Sequence, residues 1–287
     1  MKNFRAYFLL FIAVVALCSC DLAKNNKALI SEAGKALVEE LDQKDGEAGA
    51  CDASAGSAEA DDKLVMQTSP KGTPEQILER TGYVASYNKT TLLPNWVAWH
   101  LTAERTEGSA KRSGVDFAED TEVPEPRATD WDYYNSGYDR GHMCPAADNK
   151  WSKKAMEESF LFTNMCPQNG NLNRGDWNEM EMACRKWAKK YGDLYIVCGP
   201  ILYKGKHKTI GNNKVVVPEA FFKVVLRTGD NPQAIGFIYK NTSGNRPKDS
   251  YVNTVDEVER ITGIDFFPSL PDNVEKNVEA TADIANW

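Results

Sequence analysis

One imidazole, one carboxamide, one carboxylate and two guanidinium groups occur at spacings that suit the hydrolysis of a phosphodiester. His142 ends the segment Tyr138–His142, which also contains Arg140, and Asn173 lies 31 residues after His142. Glu181 follows eight residues after Asn173, and Arg185 four residues after Glu181. The reaction needs a base that takes a proton from water, neutralisation of charge at phosphorus and stabilisation of the departing oxygen. These residue types can meet all three needs.

His142 is the candidate general base, because an unperturbed imidazole has a pKa of about 6.5 and titrates near neutrality. The chain has two other histidines. His100 lies in an apolar segment, which predicts a structural role, and His207 lies among lysines in a solvated basic loop. The Asp-Arg-Gly context and the spacing to Asn173 therefore favour His142.

The remaining candidates suit a cation and a phosphate. Asn173 offers a hard amide oxygen, and Mg²⁺ often takes only one or two protein oxygens beside its waters. Glu181 could hold a metal-bound water or bind the ion itself. Because residues four apart share a helix face, Glu181 and Arg185 are predicted to point together. Arg140 is a second candidate for phosphate. Taken alone, the Glu181–Arg185 pair is more typical of a surface ion pair.

The elements that must position these residues are short. Runs rich in β-branched and aromatic residues predict an early hairpin and three later strands: 83–87 with 96–101, then 194–197, 220–227 and 234–239. Helices are predicted at 152–160, from an Asp176 cap to about Lys190, and at 255–262, where Gly263 ends the last one. Residues 104–136 are predicted to form a long surface loop. Strands interleaved with few helices indicate an α+β fold.

The ordered set Asp139-Arg140-Gly141-His142, Asn173, Glu181 and Arg185 resembles the sugar-non-specific DNA/RNA endonucleases, the endonuclease G-like ββα-metal group. The likeness covers roughly residues 83–270 and includes PNWVA at 94–98, TNMCPQ at 163–168 and ITGIDFF at 261–267. It implies a ββα-metal nuclease fold with a central, mainly antiparallel sheet flanked by helices.

The resemblance also implies roles for single residues. His142 would be the general base, Asn173 the metal ligand and Glu181 a supporting group at the metal. Phosphate contacts would come from Arg140 and Arg185, with a site role for Asn164. The implied cofactor is Mg²⁺ or Mn²⁺, and the implied reaction is endonucleolytic cleavage of DNA and RNA with little sequence specificity.

Relatives of this kind can place a further arginine in the loop after the first hairpin. Arg112 or Arg105 could fill that place, and the loop has no motif that chooses between them. Two other functions fit the same residues. One is a phosphodiesterase that acts on another phosphorylated substrate, and the other is an inactive nucleic-acid-binding module on the same scaffold. The sequence is compatible with a monomer or a homodimer.

The first 19 residues are predicted to be a signal peptide, because Lys2 and Arg5 precede an apolar run too short to span a bilayer. Leu17-Cys18-Ser19-Cys20 resembles a bacterial lipobox, which implies lipidation of Cys20 and anchoring at a membrane of the cell envelope. An ordinary secreted protein cut near Ser19 is the alternative. Residues 20–72 are predicted to be a flexible acidic tether, and residues 73–287 the nuclease domain.

Five cysteines follow Cys20, and four of them lie in the catalytic region: Cys144, Cys166, Cys184 and Cys198. Export permits disulfides, so up to two bridges are expected there, with the pairing open. Buried free thiols are the alternative, while the absence of a Cys-x-x-Cys spacing disfavours zinc. The net charge of −7 argues against a broad basic binding surface but not against local binding of a few phosphates.

Overall fold

The computed structural model describes residues 62–287. Its central sheet is antiparallel and contains, from one edge to the other, β1 (Gln76–Glu79), β2 (Val84–Asn88), β3 (Leu93–Leu101), β6 (Leu194–Ile201), β9 (Ala220–Arg227), β10 (Gln233–Lys240) and β11 (Val252–Asn253). Two smaller antiparallel pairs are β4 (Asp139–His142) with β5 (Met165–Gln168), and β7 (Thr209–Ile210) with β8 (Val215–Val216).

Six α-helices are short except for one: α1 (Asp130–Tyr133), α2 (Lys153–Glu158), α3 (Gly170–Leu172), α4 (Asn178–Tyr191), α5 (Val255–Thr262) and α6 (Asp272–Glu279). This count refers to the described part of the chain. A wide π-helical turn, Asn173–Trp177, joins α3 to α4. The fold is therefore the α+β ββα-metal arrangement that the resemblance implied, with helices flanking a central antiparallel sheet.

The sheet is buried on both faces, and β9 shows why its sequence lacks a polar alternation. All eight residues of β9 are buried. Phe221 and Val225 face one apolar core, while Phe222 and Val224 face another. Successive side chains of a strand point to opposite sides, so a strand covered on both sides needs an almost continuous apolar run.

Different elements cover the two faces. The core that contains Phe221 also includes residues of the β4 and β5 region and of α4, such as Met165 and Cys184. The core on the other face includes Val258 of α5 and Val278 of α6. The candidate catalytic residues therefore all belong to the layer on one side of the sheet.

Several predicted elements are confirmed. Strands β2 and β3 form the early hairpin, with Ala85 opposite Val97. Helix α5 has the predicted bounds: the Thr254 side chain accepts a hydrogen bond from the Glu257 N–H at its start, and Gly263 ends it with a left-handed φ of 70°. Glycine suits that position because it has no Cβ to clash.

The predicted cap at Asp176 is wrong. Helix α4 begins at Asn178, and no side chain caps it. The Asp176 carboxylate instead accepts hydrogen bonds from the Asn245 and Arg246 backbone N–H groups, at 2.7 and 3.3 Å, and from the Tyr251 hydroxyl. The Asp176 carboxylate therefore binds a loop that is distant in sequence instead of capping α4. Local sequence preferences could not indicate this contact.

Residues 62–72 and 104–136 are more involved in packing than their polar composition indicated. Leu64 is buried in the same core as α5, and Thr68 pairs with Asp265 through two backbone hydrogen bonds of 3.0 Å. These residues belong to the segment 20–72 that was assigned to the tether. Within 104–136, Val123 and Tyr133 are buried, so this segment is a covering layer rather than a loop that only faces solvent.

The expectation of disulfides in the catalytic region is wrong, because Cys144, Cys166, Cys184 and Cys198 are all free and buried. Their side chains pack as small apolar groups in one core. The Cys198 thiol donates a hydrogen bond to the Met143 carbonyl at 3.3 Å. Burial raises the pKa of both Cys184 and Cys198 to about 12, so these thiols are poor nucleophiles at neutral pH.

The predicted signal peptide, the predicted lipidation site Cys20, Cys51 and residues 20–61 of the predicted tether lie outside the described residues. Within 62–287, no helix is long and apolar enough to cross a membrane.

Candidate active site

The candidate residues meet at a ββα module. Strands β4 and β5 pair with His142 opposite Met165, and the chain then enters α3, the π-helical turn and α4. A cavity of about 990 Å³ opens at the junction of β4 and α4. Its lining includes most of the predicted site residues and one of the two open candidates: Arg112, Arg140, His142, Asn173, Glu181 and Arg185.

Close packing of β5 explains the glycine before His142. A Cβ at Gly141 would lie 2.6 Å from the Cβ of Gln168, which is far too close for non-bonded carbon atoms. Gln168 is itself fully buried, on the strand paired with β4. The Asp-Arg-Gly-His pattern thus includes a steric requirement as well as chemical groups.

The His142 imidazole is buried and held by aromatic rings. Its side chain packs edge-on against Phe160, with ring centroids 5.0 Å apart, and against Phe117 at 5.7 Å. The Trp177 indole N–H donates to the His142 carbonyl oxygen at 3.2 Å. The imidazole Nε2 atom is buried and has no hydrogen-bond partner. An unpaired buried nitrogen that lines a cavity is suited to accept a proton from a substrate or a water.

Burial also sets the charge of His142. Loss of hydration, and to a smaller extent the nearby positive charge of Arg112, lower the pKa of His142 to about 3. The imidazole is therefore neutral at neutral pH, which is the form a general base needs.

Asn173 is oriented by a carboxylate from β4. Its Nδ2 group donates to Asp139 Oδ2 at 3.0 Å. The same Asp139 oxygen accepts a hydrogen bond from the exposed guanidinium of Arg174. Because the Asn173 nitrogen is engaged, the carboxamide oxygen is the atom left for a cation. This is how an outer carboxylate commonly fixes a metal ligand.

Glu181 lies on α4, partly exposed at the cavity. Burial raises the pKa of its carboxyl group to about 7, and the neighbouring Asp148 carboxylate raises it as well. The positive charges of Lys223, Arg185 and Arg112 lower the pKa of Glu181 and so oppose this shift. A carboxylate in this surrounding is stabilised in its ionised form by an added cation.

Arg185 shares the cavity with Glu181 but is held by another residue. Its Nη1 group forms a 2.9 Å ion pair with Asp148, whose side chain is 1% exposed. The second oxygen of Asp148 accepts a hydrogen bond from the Trp99 indole at 3.1 Å. Arg185 is therefore not the partner in a simple surface ion pair with Glu181, and its guanidinium is fixed from behind by a buried carboxylate.

Arg140 is fixed by one carboxylate and two rings. Its guanidinium forms an ion pair with Asp130, with Nη2 at 2.6 Å from Oδ1, and lies over the rings of Phe117 and Tyr133. The side chain keeps 25% of its surface exposed. It can therefore meet an anion at the cavity without losing its support.

Of the two arginines that the sequence left as candidates, one lines the cavity and the other does not. Arg112 lines the cavity and lies over the Phe160 ring, 5.6 Å from its centroid, beside His142. Arg105 does not line this cavity, since its guanidinium lies over Trp151 and donates to the His100 carbonyl at 2.7 Å. Arg112 thus lines the cavity together with Arg140, Arg174 and Arg185.

Asn164 is fully buried and does not line the cavity. Its side-chain oxygen accepts from the Cys144 N–H at 2.9 Å, and its side-chain nitrogen donates to the carbonyls of Cys144 and Ser159. These bonds fix the chain directly after His142. The predicted site role of Asn164 therefore corresponds to holding the loop that follows the base.

Sequence reasoning missed Lys223, which lies in the middle of β9. It is fully buried, and its ammonium group lies 4.3 Å from the Trp177 ring centroid and 5.1 Å from that of Trp99. The charge of Lys223 opposes the raised pKa of Glu181 and of Asp148. A lysine within an apolar strand was the available signal, because a buried ammonium group requires compensating partners.

The other two histidines lie elsewhere. His100 forms a 2.7 Å contact with Asp193 and stacks on Tyr195, which agrees with the predicted structural role. His207 contacts Glu219 at 3.1 Å. Neither of them lines the cavity, so His142 is its only histidine among the described residues.

Comparison with known proteins places the chain in a family. The sequence profile of the family described as DNA/RNA non-specific endonuclease matches residues 61–273. The chain belongs to this family. It is similar to nuclease EXOG, mitochondrial, of Danio rerio, with 38% identity over 218 residues, which cover 69% of this chain and 64% of the relative. It is also similar to nuclease C1 of Cunninghamella echinulata var. echinulata, with 37% identity over 72% of this chain and 88% of that one.

A solved structure supports the same assignment. The endonuclease in a crystal structure of the EndoG/EndoGI complex superposes with a TM-score of 0.66 at 31% identity, covering 70% of this chain and 89% of that chain. Several relatives extend beyond the region that matches this chain. The chain spans 64% of the Danio rerio EXOG protein and 57% of the one from Xenopus laevis.

The endonuclease family implies a divalent cation, and the residues present fit one. Asn173 has its nitrogen engaged by Asp139, so its oxygen is free for a hard ion. Glu181 supplies a carboxylate in the same cavity, with Asp148 close enough to raise its pKa. Oxygen donors are the ligands that Mg²⁺ and Mn²⁺ prefer.

The buried neutral imidazole predicts a pH-dependent loss of stability. Unfolded histidine has a pKa of about 6.5 and the native His142 about 3, so the unfolded state binds the additional proton as pH falls below 6.5. Stability from this residue is thus present above pH 6.5 and is lost toward pH 3. In denaturant titrations with chelator, we expect the unfolding free energy of wild type to fall by about 1–2 kcal/mol relative to His142→Gln between pH 6.5 and 5. Parallel pH curves for the two proteins would contradict a buried neutral His142.

Proposed function

We propose that the protein is a divalent-cation-dependent endonuclease that hydrolyses phosphodiester bonds of DNA and RNA with little sequence preference. The observation that carries this proposal is the buried, unpaired Nε2 of a neutral His142 in the same cavity as Asn173 and Glu181. A binding module would have no use for a desolvated base beside an oriented amide oxygen. Membership of the family supports the same reaction.

His142 acts first in the proposed reaction. Its Nε2 atom accepts the proton of the water that attacks phosphorus, and the surrounding rings of Phe117 and Phe160 keep the imidazole in place. The imidazolium that forms beside Arg112 is disfavoured, so it readily returns the proton to solvent or to the departing oxygen.

Three guanidinium groups bind the phosphate and oppose the charge that builds up at phosphorus. Arg185 and Arg140 are held by Asp148 and Asp130, so little side-chain freedom is lost when a phosphate binds. Arg112 lies over the Phe160 ring, which packs against His142. Charge neutralisation at the phosphate and at the departing oxygen is the chemistry that a cation held by Asn173 and Glu181 supplies.

The contacts available to the substrate explain the proposed lack of sequence preference. Arginines and a cation recognise phosphates, which are the same at every position of the polymer. The cavity is local, whereas the whole chain has a net charge of −7. Binding therefore depends on a few strong contacts and weakens as salt rises, because counterions are released from the polymer.

Cleavage of plasmid DNA, RNA and single-stranded DNA tests this function. We expect cleavage of all three with Mg²⁺ or Mn²⁺ and none with chelator. His142→Ala should retain the fold and lose roughly two to four orders of magnitude in turnover, the usual contribution of a general base. His207→Ala is the matched control, since His207 lies outside the cavity. Cleavage in chelator would refute the cation, and near-normal turnover of His142→Ala would refute the base.

Asn173→Ala should raise the Mg²⁺ concentration needed for half-maximal cleavage and weaken Mg²⁺ binding in calorimetry. Asp139→Ala should have a smaller effect in the same direction, about tenfold, because it removes the oxygen that orients the amide. The control is Asn171→Ala, which removes the same group from an exposed position nearby. An unchanged Mg²⁺ requirement for Asn173→Ala would assign the cation to other ligands.

We further propose that the protein acts at the bacterial cell envelope, anchored by a lipid on Cys20. The support is the sequence of the first 20 residues, where an apolar run ends in Leu-Cys-Ser-Cys. Labelling with a radioactive fatty acid should mark the wild-type protein and not the Cys20→Ala variant, which should leave the membrane fraction. A membrane-bound Cys20→Ala protein would disprove this anchor.

A further inference from the structure

A second group of carboxylates lies where α5 and α6 meet, on the sheet face opposite the ββα module. Asp256 and Glu259 belong to α5, and Glu279 is the last residue of α6. One oxygen from each of the three side chains lies within 4.8 Å of the others. The function proposed above uses none of these residues.

The spacing fits one hard cation. Ca²⁺ binds oxygen at about 2.3–2.6 Å, so two ligand oxygens on opposite sides of the ion lie about 4.6–5.2 Å apart. Three oxygens that are all within 4.8 Å of one another can therefore contact a single Ca²⁺ ion with little movement. Mg²⁺ binds at about 2.0–2.1 Å and would draw the three side chains closer together.

Glu279 provides the independent observation that a ligand belongs here. Its side chain is 5% exposed, and its Oε1 atom is buried without a hydrogen-bond partner. Leaving a buried carboxylate oxygen unpaired is unfavourable. The adjacent Val278 packs in the apolar core, which keeps the end of α6 against the sheet and holds Glu279 in this position.

The charges around Glu279 have the same sign. Burial, together with four neighbouring carboxylates, raises the pKa of Glu279 to about 9; these neighbours are Glu259, Glu275, Asp256 and Asp265. Arg260 of α5 is engaged by Glu257 at 2.7 Å. Among the described residues, no cationic side chain forms an ion pair with Asp256, Glu259 or Glu279.

One ligand is already oriented. Glu259 Oε1 accepts a hydrogen bond of 2.8 Å from the Phe266 N–H, in the segment that leads from α5 to α6. This bond fixes the Glu259 carboxylate, so less side-chain conformational entropy is lost when an ion binds. The remaining coordination positions of Ca²⁺ can be filled by water, because Asp256 is exposed.

We propose that Asp256, Glu259 and Glu279 form a binding site for one Ca²⁺ ion, which joins α5 to α6 and stabilises the C-terminal part of the fold. The ion would satisfy the unpaired Glu279 oxygen and balance the charge of the surrounding carboxylates. This site is separate from the catalytic cavity, so its test does not depend on nuclease activity.

Thermal unfolding of the full chain tests the proposal, with Mg²⁺ held in excess so that the catalytic cavity does not contribute. When Ca²⁺ reaches about one hundred times its dissociation constant, the wild-type midpoint should rise by roughly 5 °C or more. Glu279→Gln should show no such rise. Without Ca²⁺, Glu279→Gln should be at least as stable as wild type, because it removes the uncompensated buried carboxyl group.

Glu257→Gln is the matched control. It removes one carboxylate from the same helix, beside Asp256 but engaged with Arg260, and should keep the wild-type response to Ca²⁺. If Glu279→Gln does not fold, Asp256→Asn gives the same comparison at an exposed position. Equilibrium dialysis should count one Ca²⁺ fewer per chain in either variant. A wild-type midpoint indifferent to Ca²⁺, or a variant that responds as strongly as wild type, would overturn the site.

Discussion

The hydrogen bond from the Trp177 indole to the His142 carbonyl connects the two halves of the candidate active site. Trp177 ends the π-helical turn that begins with Asn173, and it is fully buried against Phe221 and Tyr239 of the central sheet. Strand β4, which carries His142, and helix α4, which carries Glu181, are thus both fixed to the central sheet through Trp177. This packing therefore helps to fix the position of His142 relative to Asn173 and Glu181.

The same burial sets the protonation states of the site. It lowers the pKa of His142 to about 3 and raises that of Glu181 to about 7, so each group is pushed toward its neutral form. Lys223, inserted between Trp99 and Trp177, and the arginines of the cavity oppose the shift at Glu181. A cation bound beside Glu181 would lower the pKa of its carboxyl group as well. Binding of a divalent ion at Glu181 is therefore coupled to ionisation of its carboxyl group.

The sequence was sufficient for features that depend on local chemistry. The hairpin β2–β3 and the bounds of α5 with Gly263 follow from turn residues and periodicity. The gathering of His142, Asn173 and Glu181 was implied by the resemblance to a known family. Features that depend on distant partners did not follow. Asp176 accepts hydrogen bonds from a loop about 70 residues away. Arg112 rather than Arg105 lines the cavity because of the way in which the segment 104–136 packs. The four free thiols likewise reflect core packing, which cysteine count and compartment could not reveal.

The central sheet also separates opposite charges, which reconciles an acidic protein with a polyanionic substrate. Arg112, Arg140 and Arg185 lie in the cavity on one side, whereas Asp256 and Glu259 lie on the helix that covers the other. For the proposed substrate, a phosphate polymer, the first face would be attractive and the second repulsive. Ca²⁺ at the acidic face would balance part of that charge without competing with the phosphates. The net charge of −7 therefore says little about binding, because the sign at the cavity decides it.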